Sequence, residues 1–113
     1  MHELAITQSM FDLVLEQAEK ARAKKVGKIN LVIGEMTGVV GECVQFYFPF
    51  LSQGTIAEGA TLCFIVVSTT ARCRDCGQEF RLQEFDWNCP NCGGNSIEII
   101  AGKELFVESI EVE

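Results

Sequence analysis

The chain has 113 residues, 48% of them apolar, and a formal net charge of −7 from 9 basic and 16 acidic side chains. That length suits one compact domain, or a small domain with a metal-stabilised insert. No apolar run approaches the roughly 18 residues of a membrane helix, and the opening residues MHELAITQ lack the basic and apolar regions of a signal peptide. Because nucleic-acid binding needs clustered Lys and Arg, the acidic balance argues against it. A soluble cytoplasmic protein without membrane or nucleic-acid contacts is expected.

A first amphipathic helix is predicted over residues 4–24. Apolar side chains recur there at helical spacing, and a single polar residue interrupts the stripe, which consists of Leu4, Thr7, Phe11, Val14, Ala18 and Ala21. Lysine and arginine crowd the last turn, where cations interact favourably with the helix dipole. Gly27 is the expected stop signal.

A second helix is predicted over residues 42–52. Its core-facing side chains are expected to be Cys43, Phe46, Tyr47, Phe50 and Leu51, which follow one helical stripe. Pro49 lies inside this segment and should kink the helix, because its ring removes a backbone donor and clashes with the preceding turn.

Three segments have the composition of β-strands. Residues 28–34 are rich in β-branched side chains and alternate in part. Residues 60–70 are apolar on both faces, which predicts a central strand that is covered on both sides. Residues 103–112 form the last predicted strand, and it carries an acidic edge.

This order of elements predicts an α+β (mixed α/β) fold. Two helices would pack on a small three-stranded sheet, and a zinc-ribbon module would be inserted between two of the strands. The expected domains are an α/β domain of residues 1–70, completed by the last strand within 101–113, and a zinc-ribbon domain of residues 71–100.

Four cysteines form a paired motif in the predicted insert. Cys73 and Cys76 are followed by Gly77, and twelve residues later Cys89 and Cys92 are followed by Gly93. Two residues between cysteines allow a tight turn to direct both sulfurs at one ion, and the following glycine permits the positive φ that such a turn requires. Two such turns supply the four thiolates that structural zinc favours, without an open position for catalysis.

Three other roles are conceivable for these four cysteines: disulfide bonds, a redox site and an iron site. Disulfides do not suit a cytosol that keeps thiols reduced, and a thioredoxin-like site would need one CxxC motif in a βαβ unit. Iron remains open, since rubredoxin uses similar paired turns, although the connection carries only Phe80, Phe85 and Trp87 as aromatic side chains. Cys43 and Cys63 lie at apolar positions of predicted elements and are expected to be buried core thiols.

The only histidine, His2, stands beside the amino terminus. A residue at this position is often disordered and without function. The α-amine, the amide nitrogen of residue 2 and the imidazole of His2 can also close two small chelate rings around one ion. Such a nitrogen set suits square-planar Ni²⁺ or Cu²⁺, and Glu3 offers a further oxygen ligand.

Several of these features occur together: Met1-His2-Glu3-Leu4 ahead of a helix, the pairs Gly34-Glu35 and Gly54-Thr55, and the CxxCG…CPxCG module. In this combination the chain resembles, over essentially its whole length, the HypA/HybF family of nickel metallochaperones for [NiFe]-hydrogenase maturation. The resemblance implies that Met1, His2 and Glu3 form the nickel site, and that Cys73, Cys76, Cys89 and Cys92 form the zinc site. Pro49 and the lack of a second histidine depart from the expected pattern.

The resemblance also implies partners. These are a HypB-like GTPase and the hydrogenase large subunit, with urease maturation proteins as further partners in some organisms; the chain itself would be a monomer or a homodimer. Zn²⁺ would be structural and Ni²⁺ the transported ion. An enzyme is not expected, because one histidine and a filled zinc shell leave no nucleophile–base pair. The alternative function is a zinc-ribbon protein-interaction module without nickel transfer.

Overall fold

The computed structural model describes residues 3–82 and 87–113. Two α-helices, α1 (Glu3–Lys20) and α2 (Gly41–Ser52), and a short 3₁₀ helix (Glu35–Thr37) accompany six strands. The strands are β1 (Val26–Gly34), β2 (Thr61–Val67), β3 (Thr70–Cys73), β4 (Glu79–Arg81), β5 (Ile97–Ala101) and β6 (Leu105–Val112). The predicted α+β fold is confirmed. No helix in the described parts of the chain is both long and apolar enough to cross a membrane.

The main sheet has the strand order β2-β1-β6. β1 lies in the centre, parallel to β2 and antiparallel to β6. The prediction that residues 60–70 form the central strand is therefore wrong, since β2 is an edge strand. The prediction failed because it assumed that apolar side chains on both faces of a strand are covered. In the structure Ile65 and Val66 are 45% and 66% exposed.

Both helices pack on one face of this sheet. The side chains of α1 that are buried there are Thr7, Met10, Phe11, Val14 and Ala18, and they meet Ile29 and Leu31 of β1 in one core cluster. The rings of Phe11 and Phe48 join the helices edge to face, with centroids 5.8 Å apart. The predicted inward stripe of α1 is correct except at its ends, where Leu4 is half exposed and Ala21 lies beyond the helix.

α1 ends at Lys20, earlier than predicted, and Gly27 does not stop it. Arg22 adopts a left-handed conformation with φ 56°. The N–H of Ala23 donates to the carbonyl of Ala18, and the N–H of Arg22 donates to the carbonyl of Glu19. These two hydrogen bonds make a Schellman cap, and Gly27 lies within β1 instead.

The buried face of α2 differs from the prediction. Val44, Phe48 and Ser52 are buried, whereas Phe46 and Phe50 are 63% and 69% exposed. Both stripes follow helical spacing, but the predicted one carries larger aromatic side chains, while the true one includes the polar Ser52. Pro49 lies inside the helix as its position indicated.

The second sheet, of order β4-β3-β5, lies in the chain between β2 and β6, where the insert was expected. Its strands begin at Thr70 and end at Ala101, close to the predicted limits of 71 and 100. The division of the chain into two domains stays a prediction. Gly102 makes the return to β6 possible: its φ is 114°, and a Cβ atom there would lie 2.8 Å from the Cα of Thr69.

Candidate metal centre

The two CxxC turns have the same backbone hydrogen bonds. In the first, the N–H of Gly77 donates to the carbonyl of Cys73 over 2.9 Å; in the second, the N–H of Gly93 donates to the carbonyl of Cys89 over 2.8 Å. Both glycines have positive φ, 77° and 74°. Because a side chain at this φ is strained, the glycine after each pair permits the turn.

These turns bring the four sulfur atoms together. All four Sγ atoms lie within 4.8 Å of one another, with 3.5 Å between Cys73 and Cys92 and 3.6 Å between Cys76 and Cys89. Sulfur atoms around a tetrahedral zinc ion with Zn–S bonds of about 2.3 Å are about 3.8 Å apart. In the described residues, this is the one group of three or more His, Cys, Asp or Glu side chains arranged to hold a metal. The donor set and its spacing fit zinc.

The site is half enclosed by its own module. Cys73 and Cys89 are buried, while Cys76 and Cys92 face solvent. Arg72, beside Cys73 on β3, has Nη atoms 3.5 Å from carboxylate oxygens of Glu79 and Glu98. These ion pairs join β3 to both of its neighbours, so the strand that presents Cys73 is held from two sides.

Asn91 contributes two donors to the sulfur cluster, and this role was not predicted from the sequence. Its backbone N–H donates to Sγ of Cys89 over 3.4 Å, and its side-chain amide donates to Sγ of Cys76 over 3.6 Å. Such hydrogen bonds stabilise the thiolate form of a cysteine. The position of Asn91 between Cys89 and Cys92 was the available signal, since a residue inside such a turn points its N–H at the first sulfur.

The thiols have unequal acidities before any ion binds. The Asn91 amide, with the backbone of Gln78, lowers the pKa of Cys76 to about 6. The backbone of Gly94 acts to lower the pKa of Cys92, but the adjoining thiols and desolvation raise it to about 12. Four sulfurs this close cannot all carry negative charge unless a cation compensates them. The cluster is therefore suited to a divalent ion, which deprotonates its ligands on binding.

The predicted nickel residues lie at the other end of the sequence, and only one of them is described. Glu3 opens α1 and is partly exposed, while Met1 and His2 lie outside the described residues. The amino end of α1 lies over one end of the main sheet: Ala5 and Ile6 line an apolar cavity of about 350 Å³ together with Ile33 and Leu105. At this same end of the sheet, β2 ends and β6 begins, so the chain enters and leaves the cysteine module there.

Cys43 and Cys63 do not join the sulfur cluster. Both are half-buried thiols in α2 and β2, so the prediction of buried core thiols was only partly right. None of the six cysteines forms a disulfide.

Comparison with known proteins identifies relatives over the full length. Residues 1–112 match the family model described as hydrogenase/urease nickel incorporation, metallochaperone, hypA. The hydrogenase maturation factor HypA of Caldanaerobacter subterraneus is 48% identical over 114 residues, with all of each chain covered. A HypA of Dehalococcoides mccartyi is 47% identical over all of this chain and 95% of its own.

Two solved structures share the fold. The solution structure of a HypA protein superposes with a TM-score of 0.74 at 24% identity, covering 100% of this chain and 97% of that one. The solution structure of the nickel metallochaperone HypA from Helicobacter pylori gives a TM-score of 0.66 at 24% identity, with 99% and 97% covered.

Proposed function

The chain belongs to the HypA family, whose members are metallochaperones of nickel incorporation, and we propose that it carries Ni²⁺ at Met1, His2 and Glu3. The ion is delivered, with a HypB-like GTPase, to the large subunit of a [NiFe]-hydrogenase in the cytoplasm. In organisms that also contain urease, the proteins of urease maturation are further partners. The observation that carries this proposal is the family match over residues 1–112, which includes the amino-terminal ligands.

The chemistry of these three residues supports a transfer site. In model peptides an α-amine has a pKa of about 8 and an imidazole of about 6.5, so a metal ion has to displace few protons from nitrogen ligands of these types around neutral pH. Glu3 lies in the first turn of α1, where the helix dipole favours a negative charge, and its carboxylate offsets part of the charge of the ion. Ligands at the start of a chain are accessible to a partner that competes for the ion, as a carrier requires.

The four cysteines have a separate role in this proposal. Cys73, Cys76, Cys89 and Cys92 hold one Zn²⁺, which stabilises a module that buries few apolar side chains of its own. Ala71 and Leu82 are buried there, but Ile100 and Trp87 are exposed. In a module of this size, metal binding supplies the folding free energy that the core does not.

Nickel titration of the zinc-loaded protein with an authentic Met1 tests the nickel site. His2→Gln removes the imidazole and leaves the amine, so we expect the affinity for nickel to fall at least about tenfold while the zinc content stays at one per chain. Cys63→Ser is the matched control for a thiol site outside the cluster, and it should bind nickel as the unmodified protein does.

The alternative function, a zinc-ribbon interaction module without nickel transfer, predicts a different result. In that case the unmodified protein and the His2→Gln variant would bind nickel with the same low affinity. Loss of nickel binding in Cys63→Ser, with His2→Gln unaffected, would instead move the nickel site to the thiols.

A further inference from the structure

The two CxxC turns repeat one backbone pattern, so their side chains can be compared position by position. In each turn the N–H of the first cysteine donates to the carbonyl of the residue five positions later, Gln78 over 2.9 Å and Gly94 over 2.8 Å. The first cysteine of each pair is buried, and the second, Cys76 or Cys92, is exposed. As far as the backbone is concerned, these two exposed sulfurs have equivalent positions.

The residue that precedes the exposed cysteine differs between the turns. It is Asp75 in the first turn and Asn91 in the second, and each side chain lies against the other turn. The amide of Asn91 donates to Sγ of Cys76 over 3.6 Å. The carboxylate of Asp75 lies against Gly94: a Cβ atom on this glycine would be 2.9 Å from Oδ2 of Asp75 and 3.4 Å from Sγ of Cys92. One exposed sulfur therefore faces a hydrogen-bond donor, and the other lies near a negative charge.

Gly94 provides the space for this carboxylate. Its φ lies outside the left-handed region, unlike that of the two glycines that directly follow the cysteine pairs, so the backbone conformation does not require a glycine there. A side chain at this position would instead collide with the carboxylate of Asp75. The equivalent position in the first turn carries Gln78. The missing side chain of Gly94 is thus what lets Asp75 and Cys92 border the same space.

From this asymmetry we infer that Cys92 is the modification site of the cysteine module, the sulfur that reacts first with a soft electrophile, and that the Asp75 carboxylate determines this preference. The inference rests on the zinc site of the proposed function. All four ligands are thiolates when zinc is bound, so the order in which they react depends on their nucleophilicity. The hydrogen bond from Asn91 stabilises the charge on Cys76 and lowers its nucleophilicity. The Asp75 carboxylate repels the charge on Cys92 and favours its conversion to a neutral thioether.

Partial alkylation of the zinc-loaded protein with N-ethylmaleimide, followed by mass spectrometry of tryptic peptides, measures the rate at each sulfur. Sγ forms a C–S bond to one alkene carbon of the maleimide, and the other alkene carbon takes a proton from water. Trypsin cuts after Arg74 and Arg81, so Cys76 is the only cysteine of its peptide, and fragmentation of the next peptide separates Cys89 from Cys92. We expect Cys92 to react at least about threefold faster than Cys76, since a unit charge about 6 Å from another in water changes a rate by about this factor.

Exchange of the two side chains tests their roles directly. Asp75→Asn should slow the reaction of Cys92 at least about threefold, and Asn91→Asp should accelerate that of Cys76 by a similar factor. In the protein that carries both substitutions, the order of the two sulfurs should be inverted. Asp75→Glu keeps the charge and should keep the preference for Cys92, which a merely structural role of Asp75 would not predict.

The matched control removes a different carboxylate from the same module. Glu79 lies 3.5 Å from Arg72, measured between Oε2 and Nη2, and its side chain is exposed to solvent. Glu79→Gln should therefore leave the order of the two exposed sulfurs unchanged. The thiols of Cys43 and Cys63 do not join the cluster, so each should react at the same rate in every variant and serve as an internal reference.

Metal analysis of each sample distinguishes a failure of this inference from a failure of the zinc site. One zinc per chain with equal rates at Cys76 and Cys92, or with a faster rate at Cys76, overturns the inference and leaves the zinc site intact. The same conclusion follows if Asp75→Asn slows Cys92 no more than Glu79→Gln does. Less than one zinc per chain in the unmodified protein contradicts the zinc site itself, and the inference with it.

Discussion

Arg81 lies 3.6 Å from Glu35, measured between Nη2 and Oε2. Arg81 ends β4 in the cysteine module, and Glu35 directly follows β1 of the main sheet. The second oxygen of Glu35 accepts a hydrogen bond from the N–H of Thr69, at the point where the chain enters the module. One carboxylate thus contacts both the entering chain and the second sheet.

This ion pair should set the orientation of the module more than its stability. Both side chains are well exposed to solvent, so Arg81→Gln is expected to lower the free energy of unfolding by no more than about 1 kcal/mol. We expect faster amide exchange in residues 69–82 without loss of zinc. Arg74→Gln, which removes an exposed cation elsewhere in the module, should leave exchange at the junction unchanged. Equal effects of the two substitutions would show that the pair has no special role.

Loss of one sulfur should release the zinc ion. Replacing Cys73 with Ala leaves three thiols around the site, so we expect the purified variant to contain less than one zinc per chain and residues 70–101 to lose their ordered structure. The main sheet and both helices should remain folded, because their core lies elsewhere. Metal analysis and far-ultraviolet circular dichroism report these two quantities. Full zinc retention by both Cys73→Ala and Cys92→Ala would contradict the assignment of the ligands.

Asn91 should affect how tightly zinc is held. Asn91→Ala removes the side-chain donor to Cys76 but keeps the backbone donor to Cys89. Partners of this kind change metal affinity by about 10–100-fold in other sites, and we expect a loss near the lower end of that range. Competition with a chelator measures it. Asn95→Ala, an exposed asparagine in the same module, is the control and should match the unmodified protein.

Much of the fold could be predicted because its patterns are local. The buried stripe of α1 depends on the spacing of apolar residues, and the two CxxC turns depend on cysteine spacing and on the glycines at 77 and 93. Both features can be read directly from the sequence. The edge position of β2 could not be predicted, since an apolar strand looks the same whether a second strand covers it or not. The rotation of α2 also escaped prediction: burial of Ser52 and exposure of Phe50 depend on where α1 and the sheet lie.

The two candidate metal sites differ in how far the structure tests their prediction from the sequence. Cysteine spacing alone placed four ligands in one group, and the sulfur positions agree with that grouping. The position of Asn91 inside the second turn indicates its backbone contact with Cys89, but not its side-chain contact with Cys76, which depends on how the amide is oriented. Met1 and His2 lie outside the described residues, so the nickel site stays a prediction from ligand chemistry and family membership.

The most direct test of the nickel site is to move the amino terminus. One glycine added before Met1 converts the α-amine of Met1 into an amide and lengthens the chelate around His2. Zinc content and fold should be unchanged, since position 1 lies before α1. Side-by-side nickel titration of the extended and authentic zinc-loaded proteins is the measurement. We predict at least a tenfold loss of affinity, roughly 1.4 kcal/mol, in the extended protein; superimposable isotherms would contradict the amino-terminal nickel site.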